Sequence, residues 1–335
     1  MRTIIVLLIL TAIILILLSL QKRWKRPAYL APRLLVTYLS LVMLLAAGEV
    51  FFRYAYAESG WGFTLAYQNW EDRFWKNNSL GFRDREWTPA DWQHKTTIMI
   101  LGDSFSAGWG IENPVDRYPD VLASMLGEDY AVVNVSRPGG TPERELTWAK
   151  DYPLKNPDII IYQYYLNDID DAALRIDDKW IPQFPEPPHW IHRESYLANF
   201  LCWRIVPIIS TVNAPDGQSY WEWNDATYRN FVIFDIHRQE LQAIMDYADS
   251  LHARLIVVIF PNMNDPANSL GHTDGVAKVF TDNGYNDILN LVHEAAAWNP
   301  KDSTVSSRDA HPSTAFHHRV AELIYQEFFT GQSEE

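Results

Sequence analysis

Cys202 is the only cysteine in 335 residues. No intrachain disulfide can form, so cysteine usage says nothing about compartment, and a zinc site built on cysteines is excluded. Basic charge is scarce as well: 28 Lys and Arg stand against 42 Asp and Glu, a formal net charge of −14. An acidic surface repels phosphates, so nucleic acid is not an expected partner. The chain has no internal repeat and no low-complexity tract, and only the polar tail Gly331–Glu335 reads as frayed. Its hydrophobic content of 47% is enough for one large soluble domain plus membrane segments.

The apolar residues begin at once. Ile4–Leu20 is almost uninterrupted Ile, Leu and Val, long enough to cross ~30 Å of hydrocarbon. A second apolar run covers Leu34 to Ala57. Between them lie Lys22, Arg23, Lys25, Arg26 and Arg33. Basic residues stay cytoplasmic, so residues 1–57 are expected to form a transmembrane helical hairpin with its turn inside. Everything after residue 57 is then extracytoplasmic, in a periplasmic or cell-surface position. A cleaved signal peptide is the alternative for the first run, but Arg2 is a weak basic start and no small-residue cleavage site follows Leu20. Glu49 lies within the second run, and Arg53 one turn later makes an ion pair near the outer end the simpler reading than a functional site.

After a connecting segment at 58–95, a regular rhythm covers residues 96–330. Short Ile/Val-rich runs at 96–101, 130–135, 158–165 and 254–260 read as buried strands. Helical spacing is expected at 118–126, 141–151, 233–252, 285–298 and 313–329, with Glu143 and Glu145 beside the positive end of the second of these. Continuous apolar strands alternating with helices predict an α/β fold, a parallel sheet covered on both faces. Ligands bind such sheets outside the carboxyl ends of the strands. An insertion at about 170–232 breaks the rhythm and is expected to wall the substrate. Its Trp180, Trp190, Trp221 and Trp223 either stack on sugar rings or form the insertion's own core.

Several reactive residues fall at that carboxyl edge. Ser104 follows the first strand in "MILGDSFSAGWG". A serine hydroxyl needs an adjacent base to act as a nucleophile. His311 in "SSRDAHPSTAFHH" is the candidate base, with Asp309 two residues upstream to fix its tautomer. The backbone N–H groups of Ser104 and Gly139 and the Asn167 amide are candidate oxyanion donors. Gly139 and Gly140 allow a close backbone approach to substrate.

In this order the motifs resemble the SGNH (GDSL-type) hydrolase superfamily. Gly102-Asp103-Ser104 matches the first block, Gly139 in "NVSRPGG" the second, Asn167 in "YYLND" the third, and Asp309 with His311 in "DAHPS" the fifth. "NNSLGFRD" is similar to the stretch preceding the core in membrane-anchored members. The resemblance covers about residues 96–330. It implies a flavodoxin-like three-layer α/β/α fold and serine ester hydrolysis or acyl transfer without metal or cofactor. Two positions depart from the family pattern. Tyr165 stands where a glycine is usual and narrows the site, and Asp309 is two residues before the histidine rather than three. Asp302 is the fallback for the third triad member.

Other groups carry less. His311, His317 and His318 lack an acidic ligand set, and Asp168, Asp170 and Asp171 lack the spacing of a calcium loop, so no metal is expected. Arg83 either braces the acidic rim, binds an anionic group or makes a structural ion pair. The expected function is a membrane-anchored extracytoplasmic serine esterase acting on an O-acyl ester, of a cell-envelope glycan or lipid. An O-acyltransferase of the same fold, or a non-catalytic scaffold binding glycan or protein, are the alternatives. Oligomeric state is not readable.

Overall fold

The computed structural model describes residue 11 and residues 30–60, 62–182, 188–209 and 217–330. The first apolar run apart from Thr11, the basic residues Lys22 to Arg26 and the Gly331–Glu335 tail lie outside them. The chain divides into two compact units, Met1–Arg73 with Phe184–Val212, and Phe74–Gln183 with Asn213–Glu335. The connecting segment and the insertion are therefore each shared between the two.

The second unit is built on a five-stranded parallel sheet: β1 (Thr96–Gly102), β2 (Tyr130–Ser136), β3 (Ile159–Tyr165), β4 (Arg254–Phe260) and β5 (Ile288–Asn290). Their order across the sheet is 2-1-3-4-5, that of a doubly wound fold with a switch point between β1 and β3. Alternation along each strand separates two cores. Met99 and Leu101 face one side with Val133, Tyr162 and Ile259, against the helices Pro142–Asp151, Phe231–Leu251 and Leu270–Asp282. Ile98 and Ile100 face the other with Ile161 and Val258, against Tyr118–Leu126, Val292–Ala297 and Thr314–Phe328.

Two expectations need correction. The helix expected at 285–298 is a strand followed by a shorter helix: Ile288–Asn290 pairs with Val257–Ile259, and the Asn290 carboxamide accepts from Val292 N–H at 3.2 Å to start the helix. Ile288, Leu289, Leu291 and Val292 satisfy either periodicity, and a neighbouring strand edge decides it. The helix Leu270–Asp282 was not expected, because Gly271 and Gly275 lower its intrinsic propensity. A short antiparallel hairpin, β6 (Thr304–Ser306) with β7 (Asp309–Pro312), precedes the last helix.

In the first unit, the helix Leu30–Tyr54 includes one stretch, Arg33–Tyr54, long and apolar enough to cross a membrane. Its last carbonyls need outside donors. Asn69 Nδ2 donates to the carbonyls of Phe52, Arg53 and Tyr56, and Arg73 to those of Tyr54 and Ala55. Both donors stand on the helix Leu65–Phe74.

Candidate active site

The carboxyl end of β1 turns directly into a four-residue helix, Ser104–Ala107. Asp103 is its N-cap, and the carboxylate accepts from Phe105 N–H at 2.8 Å. The turn is fixed from β3. Gln163 Oε1 accepts from Asp103 N–H at 3.1 Å and from Ser106 N–H and Oγ–H at 3.2 and 2.9 Å. Asn134 on β2 adds a donor to the Ser106 carbonyl at 2.8 Å. Gly102 has no room for a side chain, since an added Cβ would stand 2.4 Å from Gln163 Oε1.

His311 Nε2 lies 2.8 Å from Ser104 Oγ, and His311 Nδ1 lies 2.6 Å from Asp309 Oδ1. Asp309 and His311 both stand on β7. In a strand, residues i and i+2 point to the same face, so an extended Asp-x-His delivers carboxylate and imidazole to one place. Asp309 is buried at 4% exposure, and its Oδ1 also accepts from His311 N–H. Asp302 is exposed; its carbonyl accepts from Ser313 Oγ–H and its N–H donates to the Asn299 carbonyl. The imidazole is walled by Phe105 and Trp109, with ring centroids at 5.2 and 5.7 Å. Trp75 in turn packs on Trp109. Nothing in the spacing of the sequence singled out these two tryptophans.

Gly139 and Gly140 differ in use. Gly139 has φ +73°, a left-handed backbone, and open space where a Cβ would be. At Gly140 a Cβ would stand 2.5 Å from Glu145 Oε1 and 3.0 Å from Asp103 Cα. Its missing side chain lets protein, rather than substrate, close on the serine turn. Asn167 follows β3 directly, and its Oδ1 is buried without a hydrogen-bond partner. The preceding carbonyl, of Leu166, accepts from Asn224 Nδ2 at 2.9 Å and Tyr228 Oη at 3.1 Å. Tyr165 packs beside the serine turn. Its ring lies against Phe105 at 4.1 Å and is 8% exposed.

The electrostatics behind the serine centre on buried acids. Glu143 and Glu145 both stand in the first turn of Pro142–Asp151, and Glu145 is fully buried while Glu143 is exposed. Burial, and then the neighbouring Asp103 charge, push its carboxyl well above the usual range. Asp168, also fully buried, is raised by desolvation and then by Glu145 and Asp103. Asp103 itself is raised by burial, against the opposing pull of Phe105 N–H and of His311.

The acids after β3 are engaged separately. Asp168 accepts from Tyr165 N–H, Asp170 from Tyr220 Oη–H, and Asp171 from Thr141 Oγ–H. His317 is buried with Nδ1 accepting from Tyr118 N–H, and His318 pairs with Asp116. No group of three or more His, Cys, Asp or Glu able to hold a metal ion occurs among the described residues. Arg83 meets backbone carbonyls and an aromatic ring. Its buried guanidinium donates to the carbonyls of Phe74, Gly108 and Ile111 and lies over Trp75 at 4.7 Å. Burial, then Arg117 nearby, lowers its pKa to about 9. Of the insertion tryptophans, Trp223 is buried and donates to Asp178. Trp180 donates to the Gln218 carbonyl, Trp221 packs edge-on to Tyr165, and Trp190 is exposed.

No family model matches the sequence, and no curated protein matches it. Among solved structures the chain is similar to TesA, at 15% identity and a TM-score of 0.42, over 70% of this chain and 98% of that one. It is similar to the acetyl xylan esterase AlAXEase at 15% identity and a TM-score of 0.43, over 69% and 99% of the two chains. It is also similar to the lipase/acylhydrolase from Enterococcus faecalis at 16% identity and a TM-score of 0.40, over 69% and 94%.

Proposed function

We propose that the chain is a serine esterase of SGNH type, anchored in a membrane with its sheet domain outside the cytoplasm. The observation that carries this reading is the hydrogen-bonded chain from Ser104 through His311 to Asp309, at 2.8 and 2.6 Å. Hydroxyl, imidazole and carboxylate in that order are the parts of an activated nucleophile. His311 Nε2 accepts the Ser104 proton as Oγ attacks an ester carbonyl. The Ser104 and Gly139 N–H groups and the Asn167 amide hold the oxyanion. Asp309 keeps the imidazole N–H on Nδ1 and stabilises the imidazolium. His311 then protonates the leaving alcohol, and water resolves the acyl-enzyme by the same route in reverse.

The anchor is supported by the apolar Arg33–Tyr54 stretch, and a hairpin by Thr11 Oγ1 at 2.7 Å from Tyr38 Oη. An enzyme so placed meets the O-acyl esters of envelope glycans and lipids, which are the proposed substrates. Turnover of p-nitrophenyl acetate tests the chemistry. Ser104→Ala and His311→Asn should each lower kcat/KM by ~10³-fold or more in folded protein. Full activity in Ser104→Ala overturns the reading. Supplying a sugar acceptor separates the two fates of the acyl group: acylated sugar exceeding free acid identifies a transferase.

A further inference from the structure

The insertion helix Tyr196–Ile209 packs alongside the apolar helix Leu30–Tyr54 and runs in the same direction. Leu197 sits on Gly48, where an added Cβ would stand 3.2 Å from its Cδ2. Phe200 stacks on Phe52 at 4.0 Å, and Arg204 reaches Tyr56 and Glu58. The insertion helix therefore starts level with Glu49. That is five residues inside the end of the longer helix, about 7–8 Å along its axis.

Glu49 explains how a helix can start there. Its carboxylate accepts from Ser195 Oγ–H at 2.9 Å and from the N–H groups of Tyr196 and Leu197 at 3.1 and 3.0 Å. Arg53 balances its charge at 3.0 Å. In hydrocarbon, unpaired helix N–H groups cost several kcal/mol each, so a start at this depth needs such an acceptor. Two faces of the insertion helix are used within the unit: Leu197, Phe200 and Arg204 on the long helix, and Asn199 on Leu65 N–H with Trp203 on Phe63. The third presents Leu201 and Ile205, 46% and 51% exposed, and no charge. Five and nine residues from the helix start, they stand level with the end of the long helix and about 6 Å beyond it, where that helix exposes Phe51 and Tyr54.

We propose that the Leu201–Ile205 face of the insertion helix lies at the membrane–water interface, where headgroups meet acyl chains, making the insertion a second lipid-contacting element. The proposal rests on the reading of Leu30–Tyr54 as a membrane span. It is tested on the full chain in phospholipid nanodiscs, in a Cys202→Ser background carrying one nitroxide label. Labels go at Ile205→Cys, at Leu201→Cys, at Leu44→Cys within the span and at exposed Glu128→Cys. Collision with oxygen and with water-soluble nickel–EDDA is read at each. Interfacial lipid contact predicts an oxygen-to-nickel collision ratio at 201 and 205 below that at 44 and several-fold above that at 128. Nickel accessibility at 201 and 205 equal to that at 128, with 44 oxygen-preferring, overturns the lipid contact and leaves the span intact. Nickel accessibility at 44 as well overturns the span and the contact together. Shielding of 201 and 205 from both reagents means that protein covers the face, and also overturns the proposal.

Discussion

Gln163 and Ser106 are joined twice, through the Ser106 N–H at 3.2 Å and its Oγ–H at 2.9 Å, both donated to the same side-chain oxygen. That oxygen also takes Asp103 N–H, so the residues on either side of the Ser104–Phe105 step hang from one fully buried side chain on β3. Gln163→Met removes the acceptor and leaves two backbone donors buried. Stability should fall by about 2–4 kcal/mol in urea unfolding. In the folded variant, kcat on p-nitrophenyl acetate should fall about tenfold or more, with little change in KM. An unchanged kcat would mean that the serine turn is held elsewhere.

Arg83 does a similar task from the other end of the Ser104–Ala107 helix. It gathers the carbonyls of Phe74, Gly108 and Ile111, which point to it from two parts of the chain. A lysine carries the charge but not the planar fork of donors. Arg83→Lys should therefore cost about 2–3 kcal/mol, read as a lower urea midpoint at unchanged slope. Stability equal to the parent chain would show that charge alone suffices.

The Leu166 carbonyl is held by Asn224 and Tyr228, and the peptide it belongs to leads into Asn167. Tyr228→Phe removes one of the two donors. It should lower kcat about three- to tenfold and leave KM near its parent value, because a looser Asn167 weakens transition-state binding selectively. Asn167→Ala itself should cost ~10²–10³ in kcat. Equal losses in kcat and a matching rise in KM for Tyr228→Phe would point to general unfolding of the loop instead.

Asp170 supplies a pH signature. Burial pushes its carboxyl up to about 7, against the hydrogen bond from Tyr220. Between the unfolded value near 3.8 and about 7, the native state holds a proton that the unfolded state releases. This group's contribution to stability is thus fullest below pH 3.8 and is lost as pH rises through 7. Asp170→Asn removes the loss. The variant should gain on the parent chain by on the order of 2 kcal/mol between pH 5 and pH 8, after allowing for partial exposure. A gap independent of pH would contradict the burial argument.

Local pattern made the sheet legible. β1 to β4 are short runs rich in Ile, Val and Tyr, buried on both faces and bounded by turn residues. The three residues of β5 are too few to carry a period, and they exist as a strand only because β4 offers an edge. Ser104, Asp309 and His311 were legible as candidates from their residue types and order in the sequence. That Asp309 and His311 meet side by side follows from the extended geometry of β7, which spacing alone does not show. Gln163 was not legible as the support of the serine turn, nor Glu145 as a buried acid. One reads as a polar residue in a strand and the other as a helix-end charge; Gly102, distant in sequence, leaves room for Gln163, and Gly140, in the loop before its helix, for Glu145. Glu49 was legible as an ion-pair partner of Arg53, but its role at the start of Tyr196–Ile209 lies 146 residues away.

The central claim is that Ser104 is a nucleophile activated by His311. The most direct measurement is peptide mapping by mass spectrometry after reaction with a fluorophosphonate. The account predicts one covalent phosphonyl adduct on Ser104, formed at least ~10²-fold more slowly in His311→Asn and absent in Ser104→Ala. A folded chain that leaves Ser104 unmodified, or that reacts equally well without the imidazole, would contradict it.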